Sequence, residues 1–229
     1  MEVKRTEHKY IVRCEESLRL RGRLDSIMPR DIHCLGPEGY EVRSLYFDTV
    51  GDRCCAEKED GLLNHEKIRI RTYGPGDGTI KLESKKKRGE VQRKLSMPIS
   101  REVCDALCAG EYGVLLEQKD PNALSFYRKL SEGMLPKVIV QYHRVSYCLP
   151  VNNTRITFDT DIRATESDLD LFRETLQAHP ILPEDMAVVE VKFNHFLLGY
   201  VRNALEQLNR SEGSFSKYFS GRSHYRHLL

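Results

Sequence analysis

A chain of 229 residues can bury a substantial core as one large domain or two small ones, and 40% apolar with 31% charged residues and no Trp mark a rather polar globular protein. The formal net charge is only +2, so a strong anion site has to come from segregation of charge and not from an excess of it. No apolar run reaches spanning length and no charged-then-apolar leader opens the chain, so it reads as cytoplasmic, with no transmembrane segment of its own.

Seven cysteines and eight histidines show no C-x-x-C, H-E-x-x-H or H-x-H spacing. That argues against a disulfide framework and against a transition-metal centre, and leaves free thiols in a reducing compartment.

The first predicted strand runs from Val3 to Val12, with Arg5, Glu7 and Lys9 on one face and Lys4, Thr6, His8 and Tyr10 on the other. Leu18, Leu20, Leu24 and Ile27 give Glu15 to Met28 a helical period that stops at Pro29. A second strand, Glu41 to Asp48, leads into a polar segment with a brief helix at Cys54 and Cys55. The third strand contains Lys67-Ile68-Arg69-Ile70-Arg71: three cations share one face, two isoleucines the other. Nothing in stability asks for such a row, because like charges on one strand face repel.

After the turn at residues 73–78 a fourth strand, Thr79 to Lys85, sets Lys81, Glu83 and Lys85 against Ile80 and Leu82. A charged tip at residues 86–90 leads to a fifth strand, Val91 to Met97, where alternation aims Gln92, Lys94 and Ser96 away from Leu95 and Met97. Arg93 falls on the apolar side, and a bulge or one-residue slip would exchange its role with that of Lys94.

Helices are predicted from Ser100 to Gly110 and from Asp120-Pro121 to Gly133. Strands follow at Lys137 to Leu149 (Tyr142, Arg144 and Ser146 on one face) and Thr154 to Asp161 (Arg155, Thr157, Asp159 and Asp161). Asp168 to Ala178 reads as helix. The last strand, Ala187 to Phe193, places Glu190 and Lys192 opposite Val189, Val191 and Phe193, and Asn194 caps a final helix with Leu197, Val201, Leu205 and Leu208 on one stripe. No linker or repeat interrupts residues 1–229, which read as one domain.

Several strands with a charged face opposite an apolar one need a geometry that uses both faces. The expected fold class is α+β: a closed antiparallel β-barrel with helices packed outside and a charged lumen. The lumen set is Lys9, Lys67, Arg69, Arg71, Lys81, Lys85, Lys94, Arg144, Arg155 and Lys192, with Glu7, Glu83, Asp159 and Glu190 among them. Cations at that density call for an anion of high charge density, and forked arginine donors match the oxygens of a triphosphate or a phosphate chain. The acids offset cation repulsion and can hold a divalent metal. Lys67 and Lys81 read as rim residues, Tyr46 and Tyr142 as wall packing, Asp48 and Asp161 as residues that close turns. With no aromatic stacking signature alongside the cations, nucleic acid is not an expected partner.

Eight motifs in order carry a family resemblance: Glu7-His8-Lys9-Tyr10, Ser44-Leu45-Tyr46-Phe47-Asp48-Thr49, Arg69-x-Arg71, Glu83-x-Lys85, Tyr142-x-Arg144, Arg155-Ile156-Thr157-Phe158-Asp159-Thr160-Asp161, Glu190-Val191-Lys192-Phe193 and Ser216-Lys217-Tyr218. Together they resemble the catalytic domain of the vacuolar transporter chaperone (VTC) polyphosphate polymerases, in a stand-alone bacterial form, within the triphosphate tunnel metalloenzymes. The resemblance implies transfer of the γ-phosphoryl group of ATP to a growing inorganic polyphosphate chain, with Mn2+ or Mg2+ as cofactor. It implies that Lys9, Arg69, Arg71, Lys85, Lys94, Arg144 and Arg155 grip phosphates, that Glu190 is the metal carboxylate, and that Lys217 plugs one end. Arg93 and Lys192 join the phosphate-binding candidates from the strand pattern, and Glu7 and Glu83 are further metal candidates. Two departures stand out. Arg5 occupies the first position of the E-x-E-x-K opening of hydrolytic members, which favours transfer over hydrolysis, and Ser214 stands where polymerases carry a basic residue. The alternatives are a tripolyphosphatase or nucleoside triphosphatase of the same superfamily, and a non-catalytic polyphosphate-binding module. A membrane protein that takes the product is a further partner to consider.

Overall fold

The computed structural model describes residues 5–62, 64–74, 76, 78–89, 91–206, 208, 213, 215–216 and 217–226. Ser214 lies outside the described residues. The strands are β1 (Arg5–Arg13), β2 (Tyr40–Thr49), β3 (Asn64–Thr72), β4 (Ile80–Arg88), β5 (Val91–Ile99), β6 (Met134–Leu149), β7 (Thr154–Thr165), β8 (His179–Pro180) and β9 (Met186–Asn194). The helices are α1 (Cys14–Leu24), α2 (Arg53–Glu59), α3 (Arg101–Cys108), α4 (Ala123–Leu130), α5 (Gly199–Leu205) and α6 (Lys217–Arg226), with short 3-10 turns at residues 112–117 and 151–153.

Contacts divide the chain into two compact units. The first holds Met1–Glu41, Tyr142–Arg163 and Pro180–Ser216, and its strands follow the order β1-β9-β7-β6. Antiparallel register sets Lys9 opposite Glu190, Glu7 opposite Lys192, and Arg155 and Thr157 opposite Lys192 and Glu190. The reverse face is apolar. Val12, Val145, Tyr147, Ile156, Phe158, Val189, Val191 and Phe193 join Leu20 and Leu24 of α1 and Val201 of α5 in one buried cluster. Each of these large side chains contributes on the order of 1.5–3 kcal/mol by leaving water.

The second unit holds Val42–Gln141, Ala164–His179 and Lys217–Leu229, with strand order β6-β2-β3-β4-β5. Leu45, Phe47, Ile68, Ile70, Ile80, Leu82, Met97 and Ile99 bury one face. The other face carries Ser44 and Tyr46 opposite Arg71 and Arg69, which stand opposite Lys81 and Glu83.

Three expectations are corrected. Hydrogen bonding places β1 and β5 at the ends of the strand order, and among the described residues no pairing joins them. The sheet is therefore not closed by hydrogen bonds, and a closed barrel is not what they define. Charge alternation along a strand is the same in an open and a closed sheet, so the pattern could not decide between them.

Asp168 to Ala178 forms no helix. The wholly buried Arg43 guanidinium donates instead to the carbonyls of Leu171 (3.1 Å), Arg173 and Glu174 (3.1 Å), while the carboxylates of Asp168 and Asp170 take the amides of Asp170 and Phe172 in local turns. Aspartates that bind nearby amides compete with helix, and a guanidinium supplies the donors the carbonyls need. The last helix of the first unit begins at Gly199 rather than at Asn194, which stays in β9 opposite Arg5.

Candidate functional site

In the first unit, period-two alternation on β1, β9 and β7 brings Glu7, Lys9, Glu190, Lys192, Arg155, Thr157 and Asp159 to one face. Lys9 Nζ lies 3.2 Å from Glu7 Oε1 and 3.4 Å from Glu190 Oε1. Lys192 Nζ lies 2.8 Å from Glu190 Oε2 and 3.7 Å from Glu7 Oε2. The result is a square of two ammonium and two carboxylate groups. Burial alone would push the Glu190 carboxyl up, but Lys192 and Lys9 hold it well below the usual carboxylate range. Burial would likewise lower Lys9, and Glu190 and Glu7 outweigh it and raise the ammonium.

Arg144 faces Asp159 as a fork: Nε to Oδ1 at 2.7 Å and Nη2 to Oδ2 at 2.8 Å, with its guanidinium 5.1 Å above the Tyr142 ring. Desolvation would lower the Arg144 pKa, and Asp159 more than reverses that. Arg155 donates from Nε to Ser146 Oγ (3.0 Å) and from Nη2 to Asp31 Oδ2 (3.0 Å) and Tyr40 Oη (3.3 Å).

In the second unit, Arg69 donates from Nε (2.9 Å) and Nη2 (2.7 Å) to Glu83 Oε2 and from Nη1 to Tyr46 Oη (3.1 Å). Lys94 Nζ holds the other Glu83 oxygen at 2.6 Å, and Arg71 Nε donates to Ser44 Oγ at 3.2 Å. Burial raises the Glu83 carboxyl, but Arg69, Arg71 and Lys94 bring it down to about 2. Burial would also raise the Tyr46 phenol, and Arg69, Arg71 and Lys67 bring it down to about 8.

Lys67, Lys85 and Lys94 stand opposite one another across β3, β4 and β5. Arg93 stands opposite Lys86, on the face away from Lys94, so the register carries no bulge that exchanges the two. Lys217 opens α6, and the next residue, Tyr218, donates to the buried Asp48 carboxylate and packs its ring 5.1 Å from that of Tyr46.

Six residues of these sets were not among the sequence candidates: Asp31, Tyr40, Ser44, Tyr46, Ser146 and Thr157. Alternation already put Thr157 beside Arg155 and Asp159, and Ser146 beside Arg144, whereas on the second strand the one cation, Arg43, alternates onto the face away from Ser44 and Tyr46. Asp31 lies in a loop with no periodicity to read, 124 residues from its partner Arg155.

Among the described residues no group of three or more His, Cys, Asp and Glu side chains could hold a metal ion. Two carboxylates still suit Mg2+ or Mn2+, whose other ligands come from water and phosphate oxygens. Glu190 and Glu7 fit that role, because they converge on the same two lysines and Thr157 Oγ1, in register with Glu190, is buried without a partner. Glu83 likewise has both oxygens engaged, by Arg69 and Lys94.

The fold is shared with solved structures of low sequence identity. A candidate adenylate cyclase from Bacillus halodurans superposes with a TM-score of 0.55 at 12% identity, covering 93% of this chain and 95% of that one. A candidate adenylyl cyclase from Hippeastrum, described as having a dominant triphosphatase activity, gives 0.54 at 14% identity with 96% of each chain covered. One from Vibrio parahaemolyticus gives 0.52 at 13%, covering 97% and 99%. No curated protein sequence matches the chain. The likeness to these three structures is one of fold. The VTC domain model matches residues 4–225, and the chain belongs to the VTC domain family.

Proposed function

We propose that the protein transfers the γ-phosphoryl group of ATP to the end of an inorganic polyphosphate chain. The observation that carries this reading is that the acids on the charged faces are already held by cations: Glu83 by Arg69 and Lys94, Asp159 by Arg144, Glu190 by Lys9 and Lys192, Asp31 by Arg155. Carboxylates engaged by cations in this way are weak bases, poorly suited to activating water. A phosphate chain end is ionised before it arrives and needs no base.

In this reading Lys9, Lys192, Arg144 and Arg155 of the first unit, and Arg69, Arg71, Lys85, Lys94 and Lys217 of the second, grip phosphate oxygens. Each set is tested by itself. Arg93, on the other face of β5, would meet only a chain that extends past the strand edge. Glu190 and Glu7, with the Thr157 hydroxyl, would hold a divalent cation, which when bound supplies neutralisation of charge on the transferring phosphoryl group. The arginines orient that group through forked donors and stabilise the charge that develops on its oxygens. The cytoplasmic setting belongs to the same proposal, and so does a membrane protein as recipient of the product.

Incubation with ATP and Mn2+, resolved on a polyphosphate gel, should give a ladder of lengthening chains. Phosphate release without any ladder would favour the second reading, a triphosphatase, which the activity named for the Hippeastrum relative brings into view.

A further inference from the structure

Tyr46 is 5% exposed and stands on β2 directly opposite Arg69. Its phenol oxygen accepts from Arg69 Nη1 at 3.1 Å. A phenol that accepts in this way has its own proton left to give, and a buried donor without an acceptor is costly. Two carboxylates of the same unit already carry several donors. Glu83 gives Oε2 to two Arg69 nitrogens and Oε1 to Lys94. Asp48, two residues along β2, receives the amides of Thr49, Cys54 and Cys55 and the Tyr218 hydroxyl. The groups that act on Tyr46 electrostatically, Arg69, Arg71 and Lys67 of β3, are all donors.

We propose that Tyr46 contacts the substrate, donating its phenol proton to a non-bridging phosphate oxygen that Arg69 brings alongside. This rests on the phosphate-binding reading above and adds to it a neutral donor among cations. No bond is made or broken at Tyr46; it donates a hydrogen bond that follows the charge on the phosphoryl oxygens. The same geometry makes the contact pH-dependent. Burial disfavours the phenolate, and Arg69, Arg71 and Lys67 outweigh it; Asp48 and Glu83 are the carboxylates on the same face of β2 and β4, and Tyr218 packs against the ring from α6. With the phenol at about 8, the donor is present below that pH and is replaced above it by a phenolate that repels the anion.

The test is calorimetric titration of tripolyphosphate, without metal and at fixed ionic strength, into wild type and Tyr46→Phe. Near pH 7 the variant should bind about tenfold more weakly, the effect of one hydrogen bond to a charged group. Raising the pH to about 9 should cost the wild type roughly a further tenfold relative to the variant, closing the gap, since the ionisation of the ligand is common to both. Equal affinities at both pH values, or a gap that does not change with pH, would overturn the proposal. Wild type that binds no tripolyphosphate at all would sink the phosphate reading as well. If the variant does not fold, the ultraviolet spectrum of the wild type decides: tripolyphosphate added at about pH 9 should abolish one tyrosinate band, and an unchanged spectrum refutes the contact.

Discussion

Arg144 can be lost in two ways that one variant confounds and two separate. Its guanidinium holds both oxygens of Asp159, a carboxylate with 0% exposure, so Arg144→Ala strands a buried charge. That should cost about 3–5 kcal/mol in urea unfolding, while Arg144→Ala with Asp159→Ala should recover most of it. Recovery of stability without recovery of tripolyphosphate binding would assign Arg144 to the ligand. Glu190→Gln should behave oppositely. It removes an acid from between Lys9 and Lys192, so metal-free affinity for tripolyphosphate holds or rises, while metal-dependent turnover falls by orders of magnitude. Calorimetry with and without Mn2+, beside ATP turnover, checks both; wild-type turnover in the variant would move the metal carboxylate to Glu7. At this scale the sequence was legible through faces and illegible through partners. Alternation put Arg69, Arg144, Glu190 and Lys192 on charged faces, and they are there. That Asp31 rather than a strand residue holds Arg155 depends on how a loop folds back, which has no period.

Elements were legible where one periodicity ran unopposed. β3 and β9, with strict alternation, appear at the expected places, and so does α2 at Cys54 and Cys55. Where a distant side chain supplies the hydrogen bonds, local pattern misleads, as with Arg43 and the segment around Leu171 to Glu174. A similar long-range constraint acts at Gly39, just before β2. It has φ +77, and a Cβ there would meet the Arg144 carbonyl oxygen at 2.1 Å. Gly39→Ala therefore pays twice, in backbone strain and in a clash that only a shift of β6 relieves, and should lose at least about 2 kcal/mol. Urea denaturation measures it. Because the clash falls on the Arg144 backbone, the variant should also weaken tripolyphosphate binding, whereas Gly61→Ala, at φ +65 with nothing within 4 Å, should not.

For the whole molecule, a net charge of +2 conceals charge sorted onto strand faces in each compact unit. Among the described residues no helix is long and apolar enough to cross a membrane. A ligand of several phosphates meets more preorganised cations than a single phosphate does. Tripolyphosphate at about a hundred times its Kd should add about 2.7 kcal/mol and raise the Tm by roughly 5–10 °C, well beyond the effect of inorganic phosphate at matched ionic strength. Equal shifts from the two ligands would count against a site for several phosphates. Sheet closure was the part of the molecule that sequence could not decide, because it depends on where two edge strands end up and not on what either contains.

The fork between Arg144 and Asp159 has one more consequence, for traffic. A dissolved counter-ion diffuses away when a better anion arrives, but a carboxylate fixed to the neighbouring strand does not, and it stays in competition throughout. Entry to such a site is an exchange of partners. Chloride has no second acceptor atom to match a two-point bond of 2.7 and 2.8 Å, and acetate offers only the same pair of oxygens as the aspartate while giving up its freedom in solution. Only a multiply charged visitor can outbid the resident acid, so under the proposed function the protein would sit in salt-laden water with its cations occupied and still yield them to a chain of phosphates.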